Sequence, residues 1–139
     1  MNGHEIGSID DLFGPGGWAP LRRHFAVSSF GINAWRGNEA GETIIPEHEE
    51  VRTGHEELYL VLTGRATFTV DGDEADAPPG TVVFVRDPSL KRAATAAEPA
   101  TTILSVGAKP GEPYMPMPWE DNQDAIDPVV LEALRRQTG

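Results

Sequence analysis

Cysteine is absent from this sequence, which at once removes disulfide staples, thiolate metal ligands and a cysteine nucleophile. Any metal must then be held by nitrogen and oxygen. Also lacking is an apolar run of about 18 residues or more, the length a bilayer-spanning helix requires, so no membrane partner is expected. The opening residues Met1-Asn2-Gly3-His4-Glu5 show no basic stretch followed by an apolar one, and a cytoplasmic setting is the expectation. Basic residues are scarce: 11 Lys and Arg face 22 Asp and Glu, for a formal charge of -11. A surface of that sign repels phosphate backbones, so no nucleic-acid partner is expected, and solubility alone accounts for the acidity. A glycine-rich phosphate loop, a serine nucleophile elbow and a dinucleotide fingerprint are missing too. The run Gly14-Pro15-Gly16-Gly17 reads as a turn, since proline removes an amide donor.

What is present suits one small domain spanning 1–139, with enough apolar material (39%) for one core. Glycine (15) and proline (12) punctuate short stretches of alternating or β-branched residues, the mark of many short strands. Strands are expected over 22–28, 31–36, 43–45, 56–62, 81–86 and 101–106, after a brief helix over 8–13 that Ser8 can cap. The clearest local signal runs from Arg65 to Ala75. There Ala66, Phe68 and Val70 share one face, and Asp71-Gly72 can take the positive φ angles of a tight hairpin turn. The spacing favours an all-β antiparallel sandwich or barrel over alternating strands and helices.

Beyond the strands, residues 109–139 form an extension. Tyr114, Met115, Met117 and Trp119 are expected to drape over the barrel. A helix is predicted over about 128–137: Asp127 caps it, Pro128 opens it, Val130, Leu131 and Leu134 form its apolar stripe, and Arg135 and Arg136 suit its C-terminal dipole.

Two stretches carry a resemblance to a known family. Residues 41–64 resemble the first cupin motif, in which Glu57 is followed by six residues and then Gly64. The second motif is recognisable as Gly72, five residues, then Pro78-Pro79-Gly80. The resemblance implies a cupin-type antiparallel β-barrel or jelly roll with its core over about 20–108, flanked by a short N-terminal helix and a C-terminal helix. It also implies a metal site of two histidines, a glutamate and a third histidine. Here the expected pair reads His48-Glu49-Glu50, so Glu50 stands in the second histidine's place, and Val83 stands in the third's. An additional histidine, His55, precedes Glu57.

Side chains on a strand alternate faces, so His48 and Glu50 point one way, and His55, Glu57, Tyr59 and Val61 share a face. The cupin alignment aims the second set into the barrel. Imidazole and carboxylate suit one divalent transition metal, Zn, Fe, Mn or Ni, and His48, His55 and Glu57, with Glu50, are the candidate ligands. Glu57 is also the candidate catalytic group, because a carboxylate facing a barrel interior is costly unless paired, protonated or metal-bound. The plainer alternatives are a solvated acidic loop edge for His48 and a turn cap for His55, while His4 and His24 read as ordinary surface or strand histidines. Tyr59, Phe68 and Phe84 are candidates for the wall of a small-molecule pocket, with Trp35 and Phe30 as further lining or core. Arg86, Lys91 and Arg92 either draw an anionic substrate or form a solvated loop.

Two functions follow. One is a divalent-metal-dependent enzyme of oxygenase or isomerase type acting on a small molecule in the barrel. The other is a metal-free cupin that binds or senses a small molecule without catalysis. The resemblance also implies a homodimer.

Overall fold

The computed structural model describes residues 3–117. The chain opens with α1 (Ile9–Leu12), a 3-10 turn over Pro15–Gly17, β1 (Trp18–Ala19) and α2 (Leu21–Phe25). There follow β2 (Gly31–Gly37), β3 (Thr43–His48), β4 (Glu56–Thr63), β5 (Ala66–Val70), β6 (Asp73–Ala77), β7 (Val82–Val85), β8 (Arg92–Ala96) and β9 (Thr101–Ala108). These strands make two antiparallel sheets, ordered β1-β2-β9-β4-β7 and β3-β8-β5-β6.

The hairpin between β5 and β6 forms as its sequence requires. Asp71 (φ 50) and Gly72 (φ 84) both take left-handed angles, and the register Val70↔Asp73 closes a two-residue turn. Alternation then places Ala66 and Phe68 inward, where they meet Tyr59, Val61, Ile45, Trp35, Val85 and Ile103 in one core drawn from both sheets. Gly64, which ends the first motif, sits at φ 71 against Thr101: a Cβ there would lie 2.6 Å from the Thr101 Cα. Only glycine lets β4 turn away so close to β9.

Three expectations are corrected. Residues 22–28 are not a strand; Leu21–Phe25 is helical, because Leu21 and Phe25, four apart, pack on one outer cluster with Ala19 and Ala34. Ala26 ends that helix in the left-handed region (φ 55), returning its N–H to the carbonyls of Arg22 and Arg23. Ser8 stands at the N-cap of α1 but makes no side-chain cap bond. Phe30 is 38% exposed ahead of β2 and belongs to neither wall nor core. β8 is a strand that its alanine-rich sequence did not announce, since alanine has little intrinsic preference for strands. The predicted C-terminal helix and Trp119 lie outside the described residues. No helix among the described residues is long and apolar enough to cross a membrane.

Candidate functional site

The inner face of the five-stranded sheet is organised in rows. Gly31, Gly107, Glu57 and Val85 are register partners across β2, β9, β4 and β7, and the next row is Asn33, Ser105, Tyr59 and Val83. In the first row the β9 partner of Glu57, Gly107, and the residue beyond it, Gly31, are both glycines, so the carboxylate stands beside open space. A Cβ on Gly107 would lie 3.0 Å from the Glu57 Cγ. The open space is part of a cavity of about 550 Å³. Its wall includes Trp35, Ile45, Tyr59, Tyr114 and Met117, and its polar end includes His48, Glu50 and Glu57.

His48 arrives from the other sheet. Pro46 lies inside β3, where it cannot donate to the ladder, and the β3–β8 pairing is irregular between Ile45 and His48. The bend brings the Pro46 carbonyl 2.8 Å from His48 Nδ1. A carbonyl only accepts, so Nδ1 carries a proton and Nε2 is aimed at the carboxylates. It lies 3.1 Å from Glu50 Oε1 and 3.5 Å from Glu57 Oε1. Ligand atoms of these three residues all fall within 4.8 Å of one another.

Each member is held from behind. The Thr53 hydroxyl donates to Glu50 Oε2 at 2.6 Å. The Tyr59 hydroxyl donates to Glu57 Oε1 at 2.8 Å, and Arg92 Nη1 donates to the same oxygen at 2.6 Å. Arg92 is fully buried (0% exposed), with Nε donating to the Leu90 carbonyl. It does not line the cavity. The guanidinium therefore anchors Glu57 from the core side and leaves the cavity side open.

These contacts set the protonation of the cluster. Burial pulls the His48 pKa down, but hydrogen bonds to Glu50 and Glu57, the Glu57 charge and the Pro46 carbonyl outweigh it and raise the pKa to about 10. Burial works against the Glu50 carboxylate, yet His48 and Thr53 together hold its pKa below the usual range. Burial, reinforced by Glu57, pushes the Tyr59 phenol well above its ordinary value, so it remains a donor.

The remaining candidates are distributed differently. His55 lines the cavity but stands outside the three-residue cluster, with its ring 5.4 Å from that of Tyr114. It precedes β4, so strand alternation does not govern its direction. Phe68 is a core residue, 1% exposed, whose ring supports Tyr59 at 5.6 Å; it is not part of the cavity wall. Phe84 is corrected outright. It is 43% exposed on the outer face opposite Leu58, beneath the Arg86 guanidinium, because its inward neighbours on β7 are Val83 and Val85. Val83, in the third histidine's place, packs against the core. Arg92 is corrected: it lies on β8 at 0% exposure and bonds Glu57, so it is neither a solvated loop residue nor a cavity cation that could draw a substrate. Sequence reasoning passed over Thr53 and the paired glycines, and gave Tyr114 no part in a pocket wall. For Arg92, the alternation of Arg92, Ala94 and Ala96 was the available signal.

Comparison with known proteins agrees with this architecture. No family model matches the sequence, and no curated protein matches it. Solved structures do. A cupin protein from Bacteroides fragilis superposes with a TM-score of 0.64 at 20% identity, over 88% of this chain and 97% of the other. A sugar phosphate isomerase of the cupin superfamily from Silicibacter pomeroyi gives 0.56 at 19% identity, over 72% and 65%. A cupin superfamily protein from Desulfitobacterium hafniense gives 0.50 at 25% identity, over 58% and 68%. The chain has the cupin fold, an antiparallel jelly-roll barrel with a histidine–glutamate cluster facing its interior.

Proposed function

We propose that the protein is a divalent-metal-dependent cupin enzyme acting on a small molecule, with His48, Glu50 and Glu57 as the metal ligands. The observation that carries this is the convergence of one imidazole nitrogen and two carboxylate oxygens, 3.1 and 3.5 Å apart, on the wall of a 550 Å³ cavity. The donor set fits a first-row ion. Separations of this size are those of ligands that each lie about 2.0–2.2 Å from one metal. The Nδ1 bond to Pro46 is the usual outer support of a ligating histidine, and Thr53, Tyr59 and Arg92 supply the same for the carboxylates. One nitrogen and two oxygens suit Mn²⁺ or Fe²⁺, with Zn²⁺ and Ni²⁺ as the other fitting ions.

A metal held there supplies a Lewis acid beside the substrate's oxygens. The chain's own residues orient and enclose. Arg92 and Tyr59 fix the Glu57 carboxylate, Thr53 fixes that of Glu50, and Trp35 and Tyr114 line the cavity beside them. In this arrangement Glu57 serves as a ligand rather than as a free catalytic base.

A metal-free binding protein is the second reading. Val83 favours it by removing one donor, and so does the Arg92 guanidinium, whose charge opposes a cation near Glu57. Elemental analysis separates the two. Protein purified without chelators or affinity-tag nickel is expected to hold about one equivalent of Mn, Fe, Zn or Ni, lost in His48→Ala and Glu57→Gln variants of unchanged circular dichroism. Wild type that takes up no metal from Mn²⁺, Fe²⁺, Zn²⁺ or Ni²⁺ would leave the binder.

A further inference from the structure

We infer that the cavity selects a ring-bearing, largely apolar molecule with its oxygens gathered at one end, in preference to a polyhydroxylated sugar. The inference rests on the preceding reading in taking this cavity as the ligand site, and it does not require the metal itself.

Polar groups of the inner wall already bond one another. The Trp35 indole N–H donates to Ser105 Oγ at 3.0 Å, and that hydroxyl lies 3.4 Å from the Asn33 carbonyl. Asn33 Oδ1 accepts from the Trp18 indole at 3.0 Å. The Tyr59 hydroxyl is committed to Glu57. A sugar placed here would give up water at each hydroxyl and meet groups whose hydrogen bonds are already made, which is costly for every unpaired hydroxyl.

What the wall offers instead is flat apolar surface. Trp35, Tyr59 and Tyr114 present rings, Ile45 and Met117 fill between them, and Gly31 and Gly107 contribute bare backbone. Gly31 is the residue that admits Tyr114: a Cβ there would stand 2.7 Å from the Tyr114 hydroxyl. His55 lies tilted against that ring, centroids 5.4 Å apart, and adds to an aromatic side. The charged groups of the lining are His48, Glu50 and Glu57 together with Glu47, Glu49, Arg52 and Lys91, so an occupant's oxygens belong with them. Burying a ring against aromatic walls is favourable, and rings offset from one another add a directional gain.

Isothermal titration with salicylate, phenylpyruvate and glucose 6-phosphate tests this, on metal-free protein and again after adding one equivalent of Mn²⁺. At least one ring probe is expected to bind about tenfold or more tightly than glucose 6-phosphate. Tyr114→Ala is expected to weaken that probe by about tenfold, and Tyr114→Phe to leave it within about twofold. Equal or tighter binding of glucose 6-phosphate overturns the inference. So does failure of both ring probes on folded protein in both metal states, or wild-type affinity in Tyr114→Ala. Metal content measured on the same samples keeps the two readings apart. Ring binding by protein that takes up no metal sinks the metal site and sustains this inference; metal uptake with preference for the sugar phosphate does the reverse.

Discussion

Glu57 on β4 and Arg92 on β8 stand 35 residues apart in the chain and 2.6 Å apart in the barrel, where their ion pair ties one sheet to the other. The arginine side chain is 0% exposed and the glutamate 14%. A pair so buried is costly to break, because removing either partner leaves the other's buried charge without its counter-charge at 2.6 Å.

Arg92→Met is therefore expected to destabilise the fold by about 3–5 kcal/mol, read from the midpoint and slope of urea unfolding. Adding Glu57→Gln to that variant should restore part of the loss, since the stranded carboxylate is gone. A single-variant cost below about 1 kcal/mol would show that the pair is solvated.

Stability should also depend on pH through His48. Its folded-state pKa of about 10 lies above the ordinary 6.5, so its contribution is complete below pH 6.5 and is lost as pH rises towards 10. In metal-free protein the slope across that window is at most about 1.4 kcal/mol per pH unit. His48→Gln should flatten it. A resonance assigned to the His48 imidazole that titrates near pH 6.5 in the folded protein would contradict the cluster.

Two phenylalanines that read alike in sequence should behave oppositely. Phe68→Ala removes a ring packed on Tyr59 and is expected to cost about 3–5 kcal/mol. Phe84→Ala, on the exposed outer face, should cost under about 1 kcal/mol in the same thermal or urea assay. Similar losses for both would mean that Phe84 is covered by something.

Gly64→Ala combines left-handed strain (φ 71) with a Cβ inside contact distance of the Thr101 backbone. A loss of roughly 2–4 kcal/mol is expected. Gly72→Ala meets only the strain, with nothing within 4 Å of its Cβ, and should be the milder change at about 1 kcal/mol.

Much of this protein was legible residue by residue. Asp71-Gly72 makes a hairpin through its own φ preferences, Ala66-Thr67-Phe68 alternates because strands do, and the spacing from Glu57 to Gly64 carries the cupin pattern. Where local rules failed, a neighbour outvoted them. Leu21 and Phe25 wind into a helix to cover β2, and His55 falls outside the strand whose alternation was to direct it.

The amino-acid order by itself determined most of the strands, the β5–β6 turn and the absence of thiolate chemistry, because these depend on backbone preference and residue type over a few neighbouring positions; the helix over Leu21–Phe25 and the strand β8 did not follow from it. Only the tertiary structure decided that Glu57 meets Arg92 and His48, that Val83 packs into the core where a donor was expected, and that Gly31 makes room for Tyr114. Those outcomes depend on register between strands distant in the chain, and registry is set by how two whole sheets pack, a property no short window of sequence contains.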